Sequence, residues 1–564
     1  MPKNDYSTWS KEDLVKKIKA LEKRKKYGLV WDSAREPEKV VLDCQKELPV
    51  LKEIKRNEIH SDKNAITHIL IEGDNYHALS VLNYTHEKAV DVIYIDPPYN
   101  TGARDWKYNN SFVETEDPYR HTKWLSFMNS RLVIAKGLLK DDGVMCVTID
   151  DNELPRLLLL MEDVFGEINH LGTVAIRSNP GGRKSKRTIA AQHEYALFFS
   201  RKSSTEVAKI MKPLGDKSHS YTMDDNGDYY EARNLRKEGA DSLARPDSKR
   251  YYPIYYNPAS EKLSTKNKYE IEILPIDTNG HKRIWRRDIE AIDAMSDKGD
   301  LFTRNTKYGL QIYFKFRGGI KGETPKSFWD DVRFPASEHG TQTLDRILGV
   351  REMFPFPKSP YAVMECIGVA SSNRDAVVLD FFAGSGTTAQ AVLELNRDDG
   401  GNRQFILCTN NENNIMYDVC YPRIEKVMKG YRDPKGEDIE GLCGNLKYYT
   451  TAFVPACPTD KNKELLTKQS IEMLTLKEGT FEKVTEHPSY VVYRNSDKYT
   501  GVIFDQLSFA TFKKEISKVN KPVSLYVFSL ADEDFSDDFA DMRGLVKICA
   551  IPESILRVYR RIFG

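Results

Sequence analysis

Two short motifs in this chain hold residues whose types and spacing could do chemistry. The first is VDVIYIDPPYN, residues 90–100. Its apolar, β-branched run predicts a buried strand. That strand delivers Asp96, Pro97, Pro98 and Tyr99 to the carboxyl end of a sheet, where open α/β folds bind ligands. The chemistry these residues suit is methylation of an exocyclic amine, a poor nucleophile because its lone pair is delocalised into a ring. The Asp96 carboxylate and the Pro97 carbonyl are two acceptors that could hold both N–H groups and draw the lone pair toward a methyl donor. Proline suits the place because it has no N–H and stiffens the turn. Tyr99 offers a flat face for a base that has left its duplex. Taken alone, the tetrapeptide reads equally well as a strand ending in a Pro-Pro turn.

The second motif is LDFFAGSGTTAQA, residues 379–391. A strand runs into Gly384 and Gly386, which let backbone approach a ligand closely, and then into a helix starting at Thr387. Position 389 is Ala, so the third glycine of a dinucleotide-binding loop is absent, as is the Lys of a phosphate-binding P-loop. A loop without a triphosphate clamp fits an uncharged adenosyl group joined to a zwitterionic methionine. The next strand, FILCTN, ends near Glu412, where an acid could bond ribose hydroxyls or simply face solvent.

The elements that must position these motifs follow a strand–helix–strand rhythm. Apolar runs at 66–72, 89–95 and 143–150, helix-like stretches DNYHALSVLNYTHEK and DNELPRLLLLMEDVFG, and the strand EYALFFS predict a doubly wound α/β, Rossmann-like sheet. Ser10 with Asp13 predicts a capping box on an N-terminal, lysine-rich helix. The rhythm breaks over 201–340, which is rich in Tyr, Gly, Pro and charge, and returns with DAVVLDFFAGSGTTAQ and QFILCTN. A third unit, with strand-like SYVVY, TGVIFD and SLYVFSL, predicts an α+β domain. The expected organisation is an N-terminal helical segment at 1–60, one half of an α/β domain at 61–200, an inserted domain at 201–340, the other half at 341–445 and a C-terminal α+β domain at 446–564.

Composition narrows the class. Of 564 residues, 40% are hydrophobic and 30% charged, the balance of a globular protein rather than a disordered one. No run of about 18 apolar residues predicts a membrane span. The charged N-terminus lacks the apolar core of a signal peptide, so the expected location is cytoplasmic. Eight cysteines are scattered without a CxxC pair, which predicts neither a disulfide frame nor a metal site. Net charge is only +1, but residues 171–340 hold 31 Lys and Arg against 23 Asp and Glu. That local surplus of eight is the footprint of a polyanion-binding surface. Within it, Arg183, Lys184, Lys186 and Arg187 sit in a Gly-Pro-rich loop suited to phosphates. HKRIWRRD interleaves Arg283 and Arg286 with Trp285, either to grip backbone and stack on bases or as a basic surface around a core Trp.

Together, DPPYNTG and FAGSGTT resemble the catalytic and cofactor motifs of amino-methylating DNA methyltransferases. Asp96 precedes Phe382 by 286 residues, the motif order of the β group, in which target recognition lies between the two. GDNYHAL, WLSFMNSRL, VTIDDNE, VFGEIN, HEYALFFS, FPFPKS, YGLVWD and the terminal IPESILRVYRRIF are similar to modification subunits of Type III restriction–modification systems. The resemblance covers nearly the whole chain. It implies an adenine-N6 methyltransferase using S-adenosylmethionine, with Asp96, Pro97 and Tyr99 holding the amine and Pro98 shaping the turn. It implies that Phe382, Ala383, Gly384, Ser385, Gly386 and Thr387 line the cofactor and that Asp380 stands at its methionine end. Asp74 would reach the cofactor's adenine, or act only as a helix cap, while Lys358 and Ser359 would lie near its carboxylate. Glu412 keeps its ribose role, and His193 and Glu194 would help shape the target pocket or form a structural pair. Double-stranded DNA, a second copy of the chain and a helicase–nuclease restriction subunit are the implied partners.

Three alternatives bear on these motifs. Cytosine-N4 methylation uses the same kind of amine, although Asp rather than Ser at position 96 favours adenine in this family. A DNA-binding subunit serving a restriction partner would need recognition more than catalysis. A nicotinamide oxidoreductase leaves DPPY unexplained.

Overall fold

The computed structural model describes residues 10–15, 38–62, 65–109, 111–114, 116–182, 189–208, 221–223, 229–237, 239–277, 279–306, 309–316 and 324–563. The chain divides into two compact units, one formed by residues 1–208 with 326–564 and the other by residues 209–325.

The first unit is built on a ten-stranded sheet. Its strands are β1 (Glu47–Glu53), β2 (Thr67–Glu72), β3 (Val90–Ile95), β6 (Leu139–Ile149), β7 (His170–Ile176), β8 (Glu194–Ser200), β16 (Phe328–Trp329), β17 (Val377–Asp380), β18 (Gln404–Thr409) and β21 (Asn445–Pro455). A separate hairpin pairs β4 (Ala103–Tyr108) with β5 (Ser111–Glu114), and another pairs β19 (Gly430–Arg432) with β20 (Asp438–Glu440). The spatial order is β1-β21-β2-β18-β17-β3-β6-β8-β7-β16. From β21 to β6 every pairing is parallel. β17 and β3, far apart in sequence, lie side by side with Val378 opposite Val92 and Leu379 opposite Ile93.

Parallel strands need crossover elements to bury both faces. Those that carry site residues are α1 (Asn75–Thr85), α2 (Arg120–Leu138), α3 (Leu154–Phe165), α5 (Pro360–Ala370), α6 (Thr387–Asp399) and α7 (Tyr421–Lys429). Each contributes apolar side chains to the interior, among them Leu79, Leu82, Trp124, Leu132, Leu160, Val363, Val392 and Ile424. This is the Rossmann-like α/β architecture that the strand–helix rhythm predicts.

The boundaries differ from the expected ones. Residues 47–53 are not part of a helical segment: ELPVLKE pairs with β21 over seven positions and buries Leu48, Pro49, Val50 and Leu51. β21 likewise completes the sheet instead of opening a C-terminal domain, because its register with β2 runs from Asn445 to Thr450. The inserted unit is shorter than 201–340, since Phe328 and Trp329 return to the main sheet beside β7. The C-terminal residues form a five-stranded sheet of β22 (Glu482–His487), β23 (Tyr490–Arg494), β24 (Tyr499–Ile503), β25 (Val523–Phe528) and β26 (Val546–Ile551), with helices α8 (Phe509–Ile516) and α9 (Glu553–Phe563). Tyr559 of α9 donates its hydroxyl to the Pro49 carbonyl of β1, so this sheet packs within the same unit. At the N-terminus, Asp13 N donates to Ser10 Oγ at 3.1 Å, the first bond of the predicted cap. The remainder of that predicted helix and the YGLVWD motif lie outside the described residues.

The second unit has its own core. β9 (Tyr221–Met223), β10 (Tyr229–Asn234), β14 (Leu301–Thr306) and β15 (Gly309–Phe316) form one antiparallel sheet, and β11 (Ile254–Asn257), β12 (Lys262–Ser264) and β13 (Ile271–Ile273) another. Helix α4 (Ile289–Asp297) adds Ile292 to a cluster with Leu235, Ile254, Trp285, Ile312 and Phe314.

Candidate active site

Five parallel strands end at one edge, and their next residues build the site. β2 leads to Gly73 and Asp74, β3 to Asp96, β6 to Asp150, β17 to Phe381 and Phe382, and β18 to Asn410. Between them opens a cavity of about 650 Å³, lined among others by Asp74, Asp96, Pro98, Phe382, Gly384 and Glu412. Both sequence motifs therefore face one space, as the adjacency of β17 and β3 requires.

The Asp96 end is heavily bonded. Its Oδ1 accepts from Thr148 Oγ1 at 2.7 Å and from the Tyr99 hydroxyl at 2.8 Å, and Lys358 Nζ lies 3.2 Å away. The Tyr99 hydroxyl also reaches Glu194 Oε2 at 3.2 Å, and Lys358 Nζ donates to that same oxygen at 2.5 Å and to the Tyr99 hydroxyl. Burial pushes the Tyr99 phenol well above its ordinary range, and the carboxylates of Asp96 and Glu194 push it further, so it stays a neutral donor. Burial would lower the Lys358 ammonium, but Asp96 and Glu194 outweigh it and the net direction is upward.

The turn after β3 is held from outside the cavity. Buried Trp124 donates its indole N–H to the Pro98 carbonyl at 2.7 Å. Asn100 has φ +56° and is fully buried. Its side-chain N–H donates to Glu153 Oε1 at 2.5 Å, and its Oδ1 accepts from Trp106 Nε1 at 3.0 Å. These bonds offset a left-handed backbone that a non-glycine residue adopts at some cost. Pro97 is buried beside them.

The glycine loop behaves differently from the expectation that all its side chains line the cofactor. Gly384 (φ +50°) and Gly386 (φ +77°) both take left-handed backbone, and Gly386 N donates to Ala383 O at 2.8 Å. Phe382 and Gly384 face the cavity. Ser385 and Thr387, however, turn their hydroxyls inward to Arg423 NH1, at 3.1 and 2.7 Å. Arg423 is fully buried and spends its other nitrogens on Gln390 Oε1, at 3.1 and 2.8 Å. Among the described residues no carboxylate is bonded to it, and burial lowers its guanidinium to about 10. Asp380 lies beneath the loop, only 2% exposed, accepting from Phe382 N at 2.9 Å and Thr388 Oγ1 at 2.5 Å. Burial raises its carboxyl to about 7 against those two bonds, with Asp96 adding to the rise.

On the opposite wall, Asp74 caps α1 by accepting from Tyr76 N at 2.8 Å, and it also lines the cavity. Buried Arg131 organises this wall. It donates to both oxygens of Glu38 at 2.8 Å and to Asn75 Oδ1 at 2.5 Å, and stacks 3.8 Å from the Phe127 ring centre. Phe127 in turn packs against Phe382, with ring centres 5.8 Å apart. Glu412 is paired with Lys107 of the β4–β5 hairpin, and both line the cavity.

Several residues stand elsewhere than their sequence context predicts. Lys358 does not stand free in this structure; it sits in the Asp96–Tyr99–Glu194 cluster. Ser359 points away and donates to the Arg333 carbonyl at 2.7 Å. His193 bonds the Tyr195 hydroxyl at 2.8 Å rather than joining Glu194 at the pocket. Trp285 is a core residue of the second unit, 2% exposed, with its indole N–H donated to Tyr252 O at 2.8 Å, so it has no face for a base. Arg283 is spent on Asp277, Gly239 and Ser242. Arg286 donates to Asn234 O at 3.0 Å and stays partly exposed. Arg183, Lys184, Lys186 and Arg187 lie outside the described residues. Arg131, Arg423, Trp124 and Glu153 support the site from full burial, a role the sequence does not mark, since a buried arginine, tryptophan or glutamate looks in sequence like an exposed one. Among the described residues no cluster of His, Cys, Asp and Glu is arranged to hold a metal, and no helix is long and apolar enough to cross a membrane.

A largely parallel sheet that brings an Asp-Pro-Pro-Tyr turn beside a glycine loop is the arrangement of a Rossmann-like methyltransferase. The profile of the DNA methylase family, N6/N4 type, matches residues 90–419. The chain belongs to that family; it is an S-adenosylmethionine-dependent DNA methyltransferase. It is 33% identical over 382 residues to the Type II methyltransferase M.KpnI of Klebsiella pneumoniae, covering 65% of this chain and 89% of that one. It is 29% identical over 409 residues to the Type III restriction–modification enzyme EcoPI Mod subunit of Escherichia phage P1, covering 66% of this chain and 62% of that one. The chain thus spans about three-fifths of the length of that Mod subunit. Among solved structures, the cytosine-N4-specific PvuII DNA methyltransferase aligns with a TM-score of 0.33 at 12% identity, over 64% of this chain and 87% of that one.

Proposed function

We propose that this chain methylates the N6 amine of an adenine flipped out of double-stranded DNA at a specific sequence, as the modification subunit of a Type III restriction–modification system. The observation that carries the reading is the position of Asp96 and Pro98, after β3, on the cavity shared with Phe382 and Gly384, with the Tyr99 hydroxyl bonded to Asp96 beside it. Similarity to a Type III Mod subunit over two-thirds of the chain supports the system.

The cavity suits S-adenosylmethionine: its volume, the apolar Phe382, the acids Asp74 and Glu412, and the left-handed glycines offer a slot without a phosphate clamp. When bound, this group supplies an electrophilic methyl on a sulfonium. The chain's own residues do the rest by placement. Asp96 Oδ1 is taken by Thr148, Tyr99 and Lys358, which leaves Oδ2 for one N–H of the target amine. The Pro97 carbonyl takes the other. Trp124 keeps the Pro98 carbonyl occupied, so the turn presents one proline acceptor and not two. Tyr99 supports the base ring from its fixed position between Asp96 and Glu194. Phe382, Phe127 and Arg131 form a stacked wall that excludes water from the donor side.

Residues 209–325 form the target-recognition unit in this reading, and exposed basic residues such as Lys282 and Arg287 are its phosphate contacts. A homodimer and a separate restriction subunit belong to the same proposal, as does a cytoplasmic location beside the nucleoid. Cytosine-N4 methylation is the second reading, because the family takes both amines; Asp at position 96 favours adenine.

Long-read sequencing of DNA from cells expressing the chain, beside an Asp96→Ala control, tests this. One motif carrying N6-methyladenine only with intact Asp96 supports it. N4-methylcytosine would put the second reading first, and no modified base from folded, cofactor-binding protein would overturn both.

A further inference from the structure

Lys358 offers more than the catalytic motif and the cofactor loop require, and its bonds specify its task. An ammonium has three hydrogens. Here three acceptors of the chain itself surround it: Asp96 Oδ1 at 3.2 Å, Glu194 Oε2 at 2.5 Å and the Tyr99 hydroxyl oxygen. The side chain is 12% exposed, and Glu194 is 10% exposed. No hydrogen remains for a cofactor carboxylate. Its place is fixed from both sides. Phe354, four residues earlier, lies against Gly384 of the cofactor loop, and the Pro357 carbonyl presses on Gly340 so closely that a Cβ there would stand 2.0 Å from the oxygen.

The charge balance of the cluster gives the reason for a lysine. Asp96 and Glu194 both lean on Tyr99, whose hydroxyl has a single hydrogen for two carboxylates. Without another cation the two acids would face each other across that phenol with one donor between them. The other titratable groups near Asp96 are Tyr94, a neutral phenol raised well above its ordinary range by burial first and then by Asp96, and Asp380. Neither supplies a positive charge, so among the described residues the ammonium is the cation of the cluster. It also stands 4.8 Å from the Tyr99 ring centre, which ties the plane of that ring to the same group.

We propose that Lys358 and Glu194 are positioning residues of the amine pocket. Lys358 bridges the two carboxylates, saturates Asp96 Oδ1 so that only Oδ2 meets the target amine, and together with Glu194 fixes the Tyr99 ring against which the base rests. The proposal rests on the amino-methyltransferase reading. It departs from it in moving Lys358 from the donor side of the cavity to the acceptor side. Its chemistry predicts which substitutions compensate each other. Removing the ammonium alone leaves two uncompensated carboxylates. Removing both Lys358 and the Glu194 charge leaves Asp96 with Thr148 and Tyr99 as donors.

The test uses the full chain with Lys358→Met, Lys358→Arg, Glu194→Gln and the double variant Lys358→Met/Glu194→Gln. Two quantities are measured: the Kd for S-adenosylmethionine by titration calorimetry, and the single-turnover rate of tritiated methyl transfer to DNA at saturating cofactor. Lys358→Met is expected to hold the cofactor Kd within about twofold and to slow transfer by about 100-fold, the scale of a misplaced reacting group. Lys358→Arg, whose fork can span two carboxylates, and the double variant should each recover about tenfold of that loss. A merely structural lysine would show no recovery in a variant missing both groups. A cofactor Kd weakened by about tenfold with the saturated rate kept would overturn the proposal and return Lys358 to the cofactor. Should Lys358→Met not fold, Lys358→Arg carries the same split between affinity and rate. Wild-type protein that binds the cofactor but methylates no DNA would sink the parent reading, and Lys358 would then be judged on cofactor affinity, a tenfold loss again counting against it.

Discussion

Trp124 and Pro98 are joined by a 2.7 Å hydrogen bond from the indole N–H to the proline carbonyl, and that bond occupies the backbone oxygen of the second proline in the Asp-Pro-Pro-Tyr turn. Trp124→Phe keeps most of the buried ring but leaves the Pro98 carbonyl without its donor, at a cost of about 1–3 kcal/mol. The turn should then relax. The expected result is a lower unfolding midpoint and slower methyl transfer with unchanged cofactor affinity. Denaturant unfolding and single-turnover assays check it, and a variant as fast as wild type would contradict it.

Asp96 and Phe382 serve different halves of the cavity and should separate in mutation. Asp96→Ala is expected to abolish transfer while leaving S-adenosylmethionine binding largely intact. Phe382→Ala removes the ring that packs on Phe127 and should weaken cofactor binding by about tenfold or more, in line with the loss of a buried aromatic. Calorimetric titration of both variants decides the matter. Equal loss of affinity in the two would refute this division of labour.

Asp380 gives the protein a pH dependence whose sign is fixed by burial. Its carboxyl stands at about 7 in the folded state against an ordinary value of 3.8. The folded protein therefore keeps a proton that the unfolded chain has released. The stability this contributes is complete below pH 3.8 and is lost as the pH climbs toward about 7. Urea midpoints of wild type and Asp380→Asn, measured in the cofactor-free state from pH 5 to 8, should diverge in favour of the variant as the pH rises. Parallel curves would show that the group does not titrate there.

Arg423 holds the floor of the glycine loop through Ser385, Thr387 and Gln390. Arg423→Met should leave those acceptors short of donors and let the loop drift, weakening cofactor binding by about tenfold, the equivalent of about 1.4 kcal/mol. Lys in its place keeps the charge but not the fork, so it should rescue little. The cofactor Kd of the three proteins is the measurement, and full rescue by Lys would mean that charge alone matters.

Much of the sheet was legible because its central strands are largely buried and read as apolar runs rich in β-branched residues. VDVIYI and VVLD are of this kind, and the structure places them next to each other. β1 was not legible: ELPVLKE carries Pro and three charges, and only its pairing with β21 makes it a strand. The glycine loop announced its backbone, since two left-handed positions ask for glycine. It did not announce that Ser385 and Thr387 turn inward, because the buried Arg423 that draws them lies on a distant helix. Lys358 shows a related limit. Sequence put it near the site, but only tertiary structure shows Asp96 and Glu194 converging on its three hydrogens. Trp285 illustrates the limit of reading a basic–aromatic stretch, whose periodicity is silent on which side of the chain faces inward.

β2 and β3 follow each other in the chain, yet two strands, β18 and β17, stand between them in the sheet. As the polypeptide leaves the ribosome, the first half can only lay down its strands with a gap of about 10 Å in the middle. At roughly 5–20 residues per second, the 282 residues from Ile95 to Val377 keep that gap open for about 15–60 s. Through that interval the nascent chain carries a complete DPPY turn and no neighbouring strand to give it a cofactor. The strand order thus sets a sequence in time: of the five strands that end at the cavity, β17 and β18 are the last to be made, and a copy that stops before them has the DPPY turn without the glycine loop.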